Sequence, residues 1–389
     1  MIALVRKRVY RPEALRRIAR DLTGRLGPVG LSRRHLEEAA QWLLRAQAAT
    51  PDDGVSGGYS FEDGWIASYP ETTGYTIPTL LAYGEYAGAS QYRERALAMA
   101  RWELTVQLDS GGFPGHFVDR ANPPVVFNTG QIIFGLLAAA EAAGEDRFLD
   151  AARRAGRWLA SVQDPDGAWR RFDYLHHVHS YNTRTAWAMA ELALAAEDEA
   201  LLASARQHLD WACAQQRPNG WVEHAGFSPA APPFLHTIAY TSQGLLEAGI
   251  RLKEPRYLEG AERVCRAVLG HVREDGWIPG AFDREWRPAA AYSCLTGNAQ
   301  MAVQWFRLHG LTGERDFLEA GQRATRFLKA SQDCDTTNLN IRGAIKGSHP
   351  IWGRYLFGTY PNWAAKFFMD ALLMEEAASQ GADAGIRCW

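Results

Sequence analysis

The sequence predicts an all-α protein, a closed (α/α)6 toroid of six helical hairpins, on three observations. Six times, an aromatic or aliphatic residue is followed five positions on by Gln or Arg: Trp42/Gln47, Trp102/Gln107, Trp158/Gln163, Trp211/Gln216, Val268/Arg273 and Phe327/Gln332. Successive pairs stand 53 to 60 residues apart, room for two helices and two loops per unit. Within each unit an amphipathic stretch alternates with a more apolar one, which assigns one helix to the outside and one to the inside. Six outer and six inner helices close into a ring that leaves no terminal unit in need of a cap.

Along the chain, residues 1–27 come first and stand apart by charge. Arg6, Lys7, Arg8, Arg11, Arg16, Arg17, Arg20 and Arg25 face only Glu13 and Asp21, in a chain of formal net charge −2. With Leu15, Ile18 and Leu22 at helical spacing, this extension reads either as a helix closing one end of the ring or as a basic amphipathic helix on an anionic membrane. Residues 28–389 read as a single toroid domain. Its third unit shows the pattern: an amphipathic stretch over 149–162, a stop at Gln163-Asp164-Pro165-Asp166-Gly167, then an apolar helix over 181–196. The longest departure from the repeat is the sixth loop, 333–359, where Arg342, Lys346, Arg354, Trp352 and Tyr355 are expected to fold over one end of the ring.

Composition narrows the class. No apolar run of membrane-span length and no secretory apolar core stand out, and no nucleic-acid partner is expected at this charge balance. Cysteines at 213, 265, 294, 334 and 388 form no CxxC or Cys/His cluster. Reduced thiols, a cytoplasmic location, in one reading at the inner membrane face, and no metal or cofactor are therefore expected.

The inner helices should converge at their N-terminal ends on a cup, where free N–H groups favour anions. The residues there, in order, are Tyr69-Pro70-Glu71 with Tyr75, Asn128 with Gln131, His179-Ser180-Tyr181-Asn182 with Arg184, His236 with Tyr240, Asn298 with Gln300, and Tyr360-Pro361-Asn362-Trp363. Aromatic faces, amides and imidazoles suit sugar rings and hydroxyls, so a poly- or oligosaccharide is the expected partner. Loop aromatics such as His116, Trp169, Trp221 and Phe227 add to this or pack the turns.

The stretch Trp158-Leu159 to Gln163, then Gly167 and Trp169, resembles the QW motif of squalene-hopene cyclases and related toroids. Toroids of this kind include polysaccharide lyases, uronyl C5-epimerases, six-hairpin glycosidases, prenyltransferases and terpene cyclases, and a fold alone does not choose among them. The cluster His179, Tyr181, Asn182 and Arg184 is similar to the Asn/His/Tyr/Arg sets of toroidal alginate-type lyases. That resemblance implies Tyr181 and His179 as proton carriers and Asn182 and Arg184 as carboxylate neutralisers at C5 of a uronic acid. Tyr75, Asn128, Gln131, His236, Tyr240, Asn298, Gln300, Lys346, Tyr360, Asn362 and Trp363 would bind the substrate.

Three alternatives stay open. Glu71 at a helix start is a candidate acid for glycoside hydrolysis, with a partner from Asp63, Asp119, Asp173 or Glu223. Asp333-Cys334-Asp335-Thr336-Thr337 resembles the acid motif of class II terpene cyclases, displaced into an outer turn. A ring that binds glycan without turning it over is the third.

Overall fold

A computed structural model of the chain describes residues 12–380 and 389. Arg6, Lys7, Arg8, Arg11 and Cys388 lie outside the described residues. Helix α1 is Pro12–Leu22. The outer helices are α2 (Ser32–Ala48), α4 (Ser90–Val106), α6 (Asp146–Ser161), α8 (Glu199–Ala214), α10 (Pro255–Leu269) and α12 (Arg315–Ser331). The inner helices are α3 (Pro70–Ala87), α5 (Val126–Ala143), α7 (Thr183–Ala196), α9 (Leu235–Leu252), α11 (Leu295–Thr312) and α13 (Asn362–Ser379). Each inner helix packs on the next, the last on the first, and α13 packs against α2, so the two ends of the chain complete one hairpin. This is the predicted (α/α)6 ring.

Short turns join each inner helix to the following outer helix at one end. They pass through a left-handed residue: Gly88, Gly144, Glu197, Lys253 and Gly313. The long loops all emerge at the opposite end, where they surround the inner helix starts. Helix α5 is apolar and long enough to cross a bilayer, against the expectation that no such run exists, but 72% of it is buried as a wall of the ring.

The repeated Gln has a physical role. Its Nε2 donates both to a carbonyl of its own turn and to a carbonyl of the next outer helix: Gln47 to Asp53 and Arg95, Gln107 to Gly111 and Ala151, Gln163 to Gly167 and Ser204, Gln216 to Gly220 and Gly260. Gln332 closes the circle by bonding Gly343 O and His35 O, back in α2. These ten bonds span 2.8 to 3.3 Å, and the five that reach the next outer helix tie neighbouring hairpins together. The turn glycine is needed for the same reason: Gly167 has φ +90°, and a Cβ there would stand 2.4 Å from Gln207 O of the adjoining helix.

Small antiparallel ladders stitch the loops at the closure. Strand β1 (Gly58–Ser60) pairs with β2 (Gly64–Trp65) and with β5 (Thr359–Pro361), and β3 (Ser293–Cys294) pairs with β4 (Ser348–His349). Helix α1 docks on this region through charge. Arg17 pairs with Asp333 and donates to Tyr360 OH at 3.2 Å, and Asp21 accepts from Lys346 Nζ at 2.6 Å on both oxygens. Lys346 therefore does not reach over the cup as expected: it is fully buried and neutralises Asp21. Asp333, first residue of the cyclase-like acid motif, is engaged by Arg17 and by the Tyr360 hydroxyl at 2.9 Å.

Candidate active site

At the loop end the inner helices open into a cavity of about 230 Å³. Seven of the expected residues line it: Glu71, Tyr75, Asn128, Tyr181, His236, Tyr240 and Trp363. Tyr69, His116, Phe127, Tyr174, Phe227 and Tyr355 complete the wall. None of the six inner helices carries a side-chain N-cap, so their first N–H groups are left to the loops and the cup. Tyr355 shows that the sixth loop does reach the cup. Its hydroxyl accepts from Trp363 Nε1 at 2.7 Å.

Glu71 is the single carboxylate among the described residues lining the cavity. It is buried, and the Tyr69 hydroxyl donates to its Oε2 at 2.6 Å. Burial pushes its pKa up to about 7, while the Tyr69 bond and the Arg184 charge pull the other way. His236 is also buried, and its pKa falls to about 3, chiefly through desolvation. Its Nδ1 stands 2.8 Å from Gln300 Oε1. An amide oxygen only accepts, so Nδ1 carries the proton and Nε2 is a bare acceptor. Burial also raises the phenols of Tyr75, Tyr181 and Tyr240 above their ordinary value, so they stay neutral. For Tyr181 the next causes are the carboxyls of Asp173 and Glu71.

The remaining expected residues lie behind or below the cup. His179 stacks on Tyr181 with ring centroids 4.5 Å apart, but Nδ1 faces Gly226 O at 3.0 Å and Nε2 faces Tyr174 O at 2.8 Å. Neither nitrogen is left for a substrate, which corrects its expected role as proton carrier. Asn182 donates to Asp173 Oδ2 at 2.7 Å. Asp173 is thereby fixed behind the wall, with its pKa raised by burial, and does not join Glu71 as a second carboxylate in the cavity. Arg184 sits on the ring axis beneath the cup. It donates to Gln131 Oε1 at 2.6 Å and Gln243 Oε1 at 2.7 Å, and its guanidinium lies 5.2 to 6.0 Å from the ring centroids of Tyr75, Phe134, Trp187, Tyr240 and Phe367. Gln131 is thus a support for Arg184, and Gln300 for His236. Asn298 bonds Ser293 Oγ and Gly276 O, Asn362 bonds Ser56 O and Thr72 Oγ1, and Tyr360 is held by Arg17 and Asp333.

A wider groove of about 670 Å³, lined by His177, His224, Asp283 and Arg284 among others, runs outside the wall formed by Gly226 and Phe227. It lacks the convergent buried acid and phenols of the cup, which makes the smaller cavity the candidate site.

The profile describing the ulvan lyase N-terminal domain matches residues 113–296, which carry Asn128, Tyr181, His236 and Tyr240. Among solved structures, an unsaturated glucuronyl hydrolase specific for heparin superposes with a TM-score of 0.73 at 16% identity, over 90% of this chain and 98% of its own. Cellobiose 2-epimerase from Bacillus thermoamylovorans gives 0.69 at 12% identity, over 88% and 97%. A D-mannose isomerase gives 0.69 at 11% identity, over 89% and 97%. No curated protein matches the chain in sequence. At these identities the likeness shows the fold alone, the (α/α)6 toroid, over 90% of the chain.

Proposed function

We propose that the protein is a carbohydrate-active enzyme that removes the C5 proton from a uronic acid residue of a poly- or oligosaccharide, leading to β-elimination or epimerisation. The observation that carries this reading is the make-up of the cup: one carboxyl poised near neutrality, Glu71, and one imidazole with a bare Nε2, His236, among neutral phenols. Glu71, the stronger base of the two, takes the proton from C5, and His236 Nε2 accepts a hydrogen bond from the substrate. In elimination the C4–O bond then breaks and a phenol, Tyr181 or Tyr240, supplies the proton to the departing oxygen. In epimerisation a phenol returns a proton to C5 from the other face. Asn128, in the cup wall, receives the substrate carboxylate, and Arg184 adds positive potential from beneath without touching it.

Hydrolysis by a carboxylate pair is less well served, because Asp173 is tied to Asn182 behind the wall. The activities of the similar proteins, on glucuronyl groups, on ulvan and on a sugar stereocentre, support a saccharide substrate. The unpaired thiols of Cys213, Cys265, Cys294 and Cys334 support action in a reducing compartment, the cytoplasm. Substitution separates an enzyme from a binding scaffold. Glu71→Gln and Tyr181→Phe should each abolish turnover of uronate oligosaccharides while leaving their binding within a few-fold. A scaffold would show no turnover in the unsubstituted protein and equal binding in all three.

A further inference from the structure

Helix α1 is docked with its polarity reversed. Ala14, Arg17 and Asp21, spaced i, i+3, i+7, face the ring and are buried. Leu15 and Leu22, which with Ile18 form the adjoining stripe, face outward with 52% and 69% of their surface exposed. The charged stripe fixes this orientation. Arg17 is paired with Asp333, and Asp21 accepts from Lys346 and from the Ile351 N–H at 2.8 Å. Rotating the helix to hide its leucines would strand Lys346 and Asp333 as buried charges without partners, a larger loss than two leucines recover.

Past the helix, Leu26, Val29 and Leu31 are exposed as well, the last by 82%. Five of the eleven exposed large apolar residues of the described chain thus fall within residues 15–31. Arg16 and Arg25 are exposed along the same segment, Arg33 is exposed just after it, and residues 1–27 as a whole hold eight basic residues against Glu13 and Asp21. An apolar stripe bordered by arginines complements an anionic lipid surface, where the leucines enter the acyl boundary and the arginines meet the headgroups.

We propose that the face formed by α1 and residues 23–31 docks the folded ring on an anionic membrane. This stands independently of the chemistry in the cup. The test is flotation of the full chain with phosphatidylcholine vesicles, with and without phosphatidylglycerol. The chain should float with the anionic vesicles, lose most of this at high salt, and bind pure phosphatidylcholine weakly. Leu15→Ser with Leu22→Ser should weaken partitioning about tenfold or more. Arg16→Glu with Arg25→Glu should abolish it. All four side chains are exposed, and circular dichroism checks that the variants remain folded. No partitioning of the unsubstituted chain, or partitioning unaffected by both double variants, overturns the proposal. So does a leucine-dependent dimer in sedimentation without vesicle binding, which would assign the face to a second copy.

Discussion

The Tyr69 hydroxyl donates to Glu71 Oε2 at 2.6 Å from the residue just ahead of α3, so one turn of chain supplies both the acid of the cup and the group that tunes it. Burial and this bond oppose each other in setting a pKa of about 7. Removing the bond in Tyr69→Phe leaves burial less opposed. The limb of the pH profile of kcat/KM that reports Glu71 should then move upward by about one unit, the worth of a hydrogen bond to a charged group. A limb that does not move would mean that another group sets it.

The same carboxyl should make the fold less stable as pH rises. Folded Glu71 titrates near 7 rather than its ordinary 4.5, so between those values the folded chain holds more protons than the unfolded one. The slope of unfolding free energy with pH is therefore negative in this window. Glu71→Gln removes that slope. Relative to its effect at about pH 4, the substitution should gain on the order of 3 kcal/mol at about pH 8 in urea unfolding.

Lys346 and Asp21 form a buried pair outside the cup. Asp21→Asn or Lys346→Met alone should cost about 3 to 5 kcal/mol, because each leaves its partner charged and buried. The double substitution should cost clearly less than the two added together. Turnover per folded molecule should be unchanged in all three, which a double-mutant cycle run beside an activity assay checks.

Gln163 ties α6 to α8 through Gly167 O and Ser204 O. Gln163→Ala leaves both carbonyls without that donor and should lower stability by about 1 to 3 kcal/mol, read as a shifted urea midpoint with unchanged slope.

These ties explain why the ring was legible in the sequence. A Gln that must reach a fixed carbonyl on the next helix recurs at a fixed place in five of the six units, so the repeat reports a tertiary contact as well as a local preference; in the fifth unit Arg273 pairs instead with Asp275 of its own turn. The site was legible only in part, because sequence spacing does not separate depth from direction. Asn128, Tyr181 and Tyr240 were read in one layer with Gln131 and Arg184. In the structure Gln131, Arg184 and Gln243 lie about one helical turn deeper, on the axis, as a floor. Lys346 was misplaced for another reason: its partner Asp21 is 325 residues away in sequence, and no local pattern reveals the pairing. Tyr174 carried no repeat signal, since it enters the cup from an irregular loop where Leu175 and His176 are both left-handed.

The central claim is removal of the proton at C5. It is tested most directly by incubating the chain with uronic-acid oligosaccharides in heavy water and reading deuterium at C5, ultraviolet absorbance of unsaturated product and new reducing ends together. The account predicts solvent deuterium at C5 or unsaturated ends, either of them lost in Glu71→Gln or His236→Gln. New reducing ends with neither deuterium nor unsaturation would contradict it and assign the cup to hydrolysis.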